Sequence, residues 1–467
     1  MNRYLTAILI ALSATAQAQL AHPAPKLVIN IVIDQLRTDY IDTYASLYTP
    51  NGLRKLYQQG CVYDAADFAF IPLDQASAIA AITTGTSPYY NNITGTKWLN
   101  RKTLRTASSV DDAQYVTAPS RMAVSTIGDE LKIATNGAGI VYSIAASREA
   151  AVLGAGHAAD GAFWIDDRKD EFQTSSYYPE KARTWINNYK RAVTQSTNKE
   201  SLANASVINL CKECITANAM GRDDIPDLLF MTLSARNQHP TENRTQTESL
   251  YMQLDNMLGE FITHVESAVG KGRVLFVLTS TGYADEPQVD YAKYRIPTGT
   301  FYINRTANLL NIYLGAIYGQ GRYIESCFRN EIYFNHKLIE QKRISFTDIL
   351  SRSQEFLIQN AGVKDVLTCT RIMEGDGSIQ KIRSGYNPTV SGDIVIEIAP
   401  GWQLMNEDTQ ETFISRASHI SFPIIFYGAG LKPRRISESV TADRIAPTIA
   451  KTIHIRAPNA CRAAPLF

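Results

Sequence analysis

Histidine and cysteine are scarce in this chain, with seven and six among 467 residues. Neither charge sign prevails, since 46 Lys and Arg face 45 Asp and Glu. That balance excludes the basic footprint of a nucleic-acid binder and the charge excess of a disordered chain. Beyond the N-terminus no apolar run approaches the roughly 20 residues of a membrane-spanning helix. Internal repeats and low-complexity tracts are also missing. What remains is a globular protein long enough for one large core with insertions. Of the cysteines, Cys211 and Cys214 form a Cys-x-x-Cys pair, but no second pair stands at metal-ligand spacing. The surrounding "SVINLCKECITANAM" has a helical period, so helical cysteines with at most one disulfide are expected.

The N-terminus carries a leader pattern. "MNRY" supplies positive charge, "LTAILIALSA" a short apolar stretch, and Ala16 to Ala18 ("AQA") a small-residue cleavage motif. Residues 1–18 are therefore expected to be a signal peptide and 19–467 the mature domain, periplasmic or secreted. No cysteine follows the motif, so no lipid anchor is expected.

"KLVINIVIDQL" (26–36) is a continuous apolar, largely β-branched run ending near Asp34, the pattern of a parallel strand buried on both faces. The same form recurs in "GAGIVYSIAAS" (137–147), "DLLFMTLSA" (227–235), "GRVLFVLTSTG" (272–282), "GDIVIEIAPGW" (392–402) and "FPIIFYGAGL" (422–431). Helical patterns lie between several of them, including 244–268. The alternation predicts an α/β fold with a mostly parallel sheet covered on both faces. Ligands bind such sheets beyond the carboxyl ends of the strands. This singles out Asp34, Ser234 to Asn237, Thr279 to Gly282, and Ser421. Residues 155–205 and 285–390, the latter mainly helical and rich in aromatics, break the rhythm. They are predicted to be insertions over the sheet rim.

"FIPLDQASAIAAITTGTSP" (70–88) reads as an apolar run, a turn, and a helix of small residues closed by glycine. A nucleophile at such a helix N-terminus would face an anion held by backbone N–H groups. The position that should carry a hydroxyl is Gln75, whose amide cannot attack.

Together these segments resemble the alkaline phosphatase superfamily. Within it they are similar to the PafA-type periplasmic alkaline phosphatases, which use a threonine nucleophile and are nucleotide pyrophosphatase/phosphodiesterase-like. The resemblance rests on "PKLVINIVIDQLRTDY", "TTGTSP", "AGHAADGAFWIDD", "DIPDLLFMTLS", "LLNIYLGAIYGQGRY", "SGDIVIEIAPGW", and "FPIIFYGAGL" followed by "RIAPTIAKTI". These stand in the family's order and span nearly all of the mature chain. The resemblance implies a three-layer α/β/α core with inserted cap regions. It also implies two zinc ions about 4 Å apart that clamp a phosphoryl group, held by six Asp and His side chains at roughly 2.0–2.2 Å.

Carried over one by one, the six ligand positions fall on Asp34, Asn237, Thr241, Thr281, Gly282 and Ser421, so only Asp34 keeps a family donor. The attacking threonine falls on Gln75. The asparagine that contacts phosphoryl oxygens falls on Thr96. The basic phosphate clamp falls near Ser147 to Glu149, where Arg148 remains as a possible anion contact. His419 and His239 lie two residues from ligand positions, which on a strand displaces a side chain by about 6.6 Å. Ser77, Thr83, Thr84 and Thr86 offer hydroxyls, but none has a metal or base to activate it.

The resemblance thus implies a catalytically degenerate phosphatase, a pseudoenzyme with the two zinc ions lost, acting on an unknown periplasmic or outer-membrane partner or ligand. The alternative is a metal-dependent phosphomonoesterase or phosphodiesterase with a rearranged site, which needs His157, Arg148 or Asp285 to converge on Asp34. Asp34 as a structural acceptor and His157 as a hydrogen-bonded structural histidine are the simpler readings of those residues.

Overall fold

The structure is a computed structural model that describes residues 23–166, 169, 171–189, 199–236, 244–284, 291–413 and 418–467. The expected signal peptide lies outside the described residues. At the centre runs β1 (Leu27–Asp34), with all eight residues buried. The other strands of its sheet are β2 (Cys61–Asp67), β3 (Val141–Ala145), β4 (Gly161–Asp166), β5 (Glu171–Gln173), β6 (Asp227–Ser234), β7 (Val274–Ser280), β8 (Phe422–Gly428) and β9 (Arg434–Ile436). They lie in the order β9-β2-β8-β7-β1-β6-β3-β4-β5, and Val440–Thr441 adds to β2. The central five strands, β7 to β4, are parallel, whereas β8 runs antiparallel to both β7 and β2.

Alternation along β1 builds the three layers. Val28 and Val32 pack with α1 (Gln75–Thr84) and α2 (Arg148–Ala155). Leu27, Ile29, Ile31 and Ile33 pack with α3 (Lys199–Ala217) and α4 (Arg244–Val269) on the opposite face. Four alanines let α1 lie close against its neighbours, and nine of its ten residues are buried. It ends at Gly85 in the left-handed region (φ 65°), where a Cβ would stand 2.6 Å from Cys461 Sγ. Cys211 and Cys214 are free thiols fully buried on α3, so no disulfide links them.

Two expectations differ from the structure. "GDIVIEIAPGW" does not join the large sheet. Its strand, Ile394–Ile398, belongs to a four-stranded antiparallel sheet with Ile324–Phe328, Glu331–Phe334 and Val363–Thr368. Ile394, Ile396 and Ile398 are buried while Val395 and Glu397 are not; the apolar Val395 hides that alternation in the sequence. Nor is 155–205 wholly an insertion over the rim, because β4 and β5 extend the main sheet at its edge.

The described part of 285–390, residues 291–390, holds short strands as well as α5 (Ile303–Tyr318) and the Phe346–Leu357 helix. It has a core of its own that includes Leu310, Leu314, Tyr323, Phe334 and Ile349. The aromatic run around Tyr313 to Tyr323 contributes packing there: Tyr313 stacks on Phe356 and Tyr323 is fully buried. This cap is tied to the loops around α1. Ile71 N–H donates to the Lys381 carbonyl (3.1 Å), and Asn387 donates to Asn92 Oδ1 (2.7 Å). Arg101 pairs with Asp393 (3.2 Å).

Candidate functional site

The carboxyl ends of β1, β6 and β7 lie side by side, with Asp34 in register with Ser234 and Ile33 with Ser280. Asp34 is 5 % exposed. Its Oδ1 accepts a hydrogen bond from Thr281 Oγ1 at 2.8 Å. The same hydroxyl oxygen accepts the Gln35 N–H at 3.0 Å. Gln35 itself is buried in the left-handed region (φ 59°), a conformation uncommon for a residue with a side chain. Thus two of the six implied ligand positions, Asp34 and Thr281, converge, but as acid and hydroxyl bonded to each other.

The next position, Gly282 (φ 71°), faces aromatic rings. A Cβ there would lie 2.7 Å from Phe422 Cε1 and 2.8 Å from Phe68 Cδ2. Ser421 is exposed, and its carbonyl accepts the Thr38 N–H at 3.0 Å. Asn237 and Thr241 lie outside the described residues, as do His239 and Asp285. The donors at the described ligand positions are therefore one carboxylate and two hydroxyls, which is not the imidazole and carboxylate shell that zinc takes. Among the described residues no group of three or more His, Cys, Asp or Glu is placed to hold a metal ion.

The turn into α1 forms the other half of the site. Asp74 caps the helix: its Oδ1 accepts the Ser77 N–H at 3.0 Å, and Ser77 Oγ in turn accepts the Asp74 N–H at 3.0 Å. Asp74 Oδ2 also accepts the Thr96 N–H at 2.6 Å, so the carboxylate clamps the Thr96 loop to the helix start. Gln75 Oε1 accepts from Ser147 Oγ at 2.6 Å. Ser147 is the N-cap of α2 and also accepts the Ala150 N–H at 3.3 Å. The two implied catalytic segments are thereby satisfied by one another. An anion at this helix N-terminus would meet the Asp74 charge already there.

Arg148 stands at the start of α2, but its guanidinium is taken by acids. Nη2 lies 3.0 Å from both Asp111 Oδ1 and Glu149 Oε1. Glu149 also accepts from Ser108 Oγ at 2.7 Å. His157 likewise belongs to another network. Its Nδ1 is 2.9 Å from Asp129 Oδ2 and its Nε2 is 3.0 Å from the Met122 carbonyl. Burial opposes charge on this ring, but the Asp129 carboxylate outweighs it and raises the imidazole above its ordinary value. Neither residue bonds Asp34, so the convergence that a rearranged site needs from them is not made.

The alternative hydroxyls are committed as well. Thr83 Oγ1 donates to the Ile79 carbonyl (3.0 Å) and Thr84 Oγ1 to that of Ala80 (2.6 Å). Thr86 bonds the Thr84 hydroxyl, and Ser77 serves the cap.

Three contributors stand outside the implied ligand and nucleophile positions. Asp74 was legible as a cap in "DQAS", and Ser147 as the polar residue before α2. Arg329 was not, because it arrives from the cap: its Nη2 is 3.8 Å from Asp74 Oδ2. Two surface clefts of about 360 and 310 Å3 are lined by Thr347 to Gly375 residues and by residues around Lys271 and Tyr427; Asp34, Gln75, Thr96 and Thr281 line neither.

Comparison with known proteins gives a consistent picture. Residues 28–420 match the family described as type I phosphodiesterase/nucleotide pyrophosphatase. Alkaline phosphatase PafA of Elizabethkingia meningoseptica is 24 % identical, over 97 % of this chain and 95 % of its own. Alkaline phosphatase PhoV of Synechococcus elongatus is 25 % identical, over 93 % and 91 %. The crystal structure of wild-type PafA superposes with a TM-score of 0.81, covering 95 % of this chain and 98 % of that one at 24 % identity. That likeness establishes the fold.

Proposed function

This chain belongs to the type I phosphodiesterase/nucleotide pyrophosphatase family, and from that premise we propose that it is a catalytically degenerate member, a binding or assembly protein without phosphoryl transfer. The observation that carries this reading is the bond from Thr281 to Asp34 (2.8 Å). The one acid retained at a family ligand position is held by a hydroxyl where its neighbour would be a carboxylate. The bond between Gln75 and Ser147 supports it from the other side. An amide stands where the attacking hydroxyl would be, and it is held by the next segment of the site. A periplasmic or secreted location, with a periplasmic or outer-membrane protein or ligand as partner, goes with this reading. Among the described residues no helix is long and apolar enough to cross a membrane.

The test is the metal content and phosphatase turnover of the purified protein beside a Gln75→Ala control. The expected result is little zinc and no turnover above the control. Near-stoichiometric zinc with turnover clearly above it overturns the reading. It would favour the second one, a metal-dependent phosphomonoesterase or phosphodiesterase with a rearranged site. What favours that second reading is that relatives matched over nearly their whole length are named alkaline phosphatases. Recovery of a specific companion from a membrane extract, absent with a tagged unrelated periplasmic protein, would support the partner role.

A further inference from the structure

A lost metal centre can lose its donors, its room, or both. The surroundings of Gly282 separate these cases. A Cβ at 282 would stand 2.7 Å from Phe422 Cε1 and 2.8 Å from both Cδ2 and Cε2 of Phe68. These approaches are closer than carbon atoms tolerate without something moving. The rings are poorly placed to move. Phe68 lies 5.4 Å from the Phe422 ring and 5.6 Å from that of Phe70, centroid to centroid, and all three are 1 % exposed. Phe422 is also fixed by its strand, where it pairs with Ala66 of β2. In a close-packed interior such a cluster has little space to retreat into.

We propose that Phe68 and Phe422 hold the volume a metal ligand at position 282 would need, so that this chain has lost the room for a two-metal centre as well as its donors. The proposal rests on the degenerate-site reading above and deepens it. Restoring the donors alone would not restore metal binding. A carboxylate at 281 would face Asp34 with no cation between them, and an imidazole at 282 would start from a Cβ pressed against the edges of two rings.

Two measurements test this. In the first, Gly282→Ala, Phe68→Ala and the double variant are compared by thermal unfolding. Strain at φ 71° lowers the melting temperature whatever surrounds the residue, but the clash with Phe68 exists only while that ring is present, and cutting it back also leaves the neighbouring Phe422 ring space to move aside. The expected result is that the double variant melts well above the sum of the two single losses. Simple additivity overturns the proposal. In the second, N237D/T241H/T281D/G282H/S421H is analysed for zinc, with and without Phe68→Ala and Phe422→Ala. The expected result is that the five-residue variant retains no more zinc than the wild type until the rings are cut back. If the wild type is metal-free and the five-residue variant binds close to two zinc ions with both rings intact, the proposal falls alone. If the wild type itself carries zinc, the degenerate-site reading falls and the proposal with it.

Discussion

Asp34 shows how far a single position can be read. Its place at a strand end was legible from the run that precedes it. Its partner lies 247 residues away; the resemblance placed Thr281 in the same site, but no local pattern announces the bond between them. Thr281→Val removes this donor from a buried carboxylate and should cost about 1–3 kcal/mol in a urea titration, with the slope unchanged. His157 yields a pH dependence. The Asp129 partner raises its folded-state value above the ordinary 6.5, so its contribution to stability is full below 6.5 and is lost as pH rises through the raised value. Asp129, despite burial, is lowered from 3.8 by the His157 ring, so its contribution is full above 3.8 and is lost as pH falls through the lowered value. The stability gap between the wild type and His157→Ala should therefore be widest between pH 3.8 and 6.5 and narrow at higher pH. An imidazole midpoint at or below 6.5 in an NMR titration would contradict this.

At the scale of elements, the buried parallel strands β1, β6 and β7 were readable because both of their faces are apolar. The direction of β8 was not, because an apolar run carries no sign of its orientation. Ile394–Ile398 was misplaced for a related reason, with Val395 filling the position where a polar residue would have marked an antiparallel strand. The turn into α1 owes its shape to Asp74, which fastens both the helix start and the Thr96 loop. Asp74→Ala should cost about 0.5–2 kcal/mol for the cap, with the freed Thr96 N–H adding to it. Faster hydrogen exchange at the Ser77 and Thr96 amides, with the rest of α1 unchanged, would check this. Between core and cap, the Asp393 carboxylate receives Arg101, His336 Nε2 (3.0 Å) and the Phe334 N–H (2.8 Å). Arg101→Ala leaves that buried acid short of its cation and should cost about 3 kcal/mol. Protease nicking between 290 and 390 should appear before the core melts.

For the whole molecule, the order of segments made the architecture legible even though the resemblance put a carboxylate at only one of its implied ligand positions. The large sheet needs only apolar runs in the right sequence, whereas a site needs distances that a linear chain does not display. No metal ties these layers together in the proposed reading, so excess chelator should leave the melting temperature unchanged. A fall of several degrees on adding EDTA would contradict it. The buried pair on α3 makes the molecule its own recorder. Cys211 and Cys214 are both 0 % exposed, and burial raises both thiols above their ordinary value. A dye that attacks thiolates therefore reaches them only when α3 peels away from the sheet. The pace of their labelling then counts the openings of that layer, without any label having been engineered in.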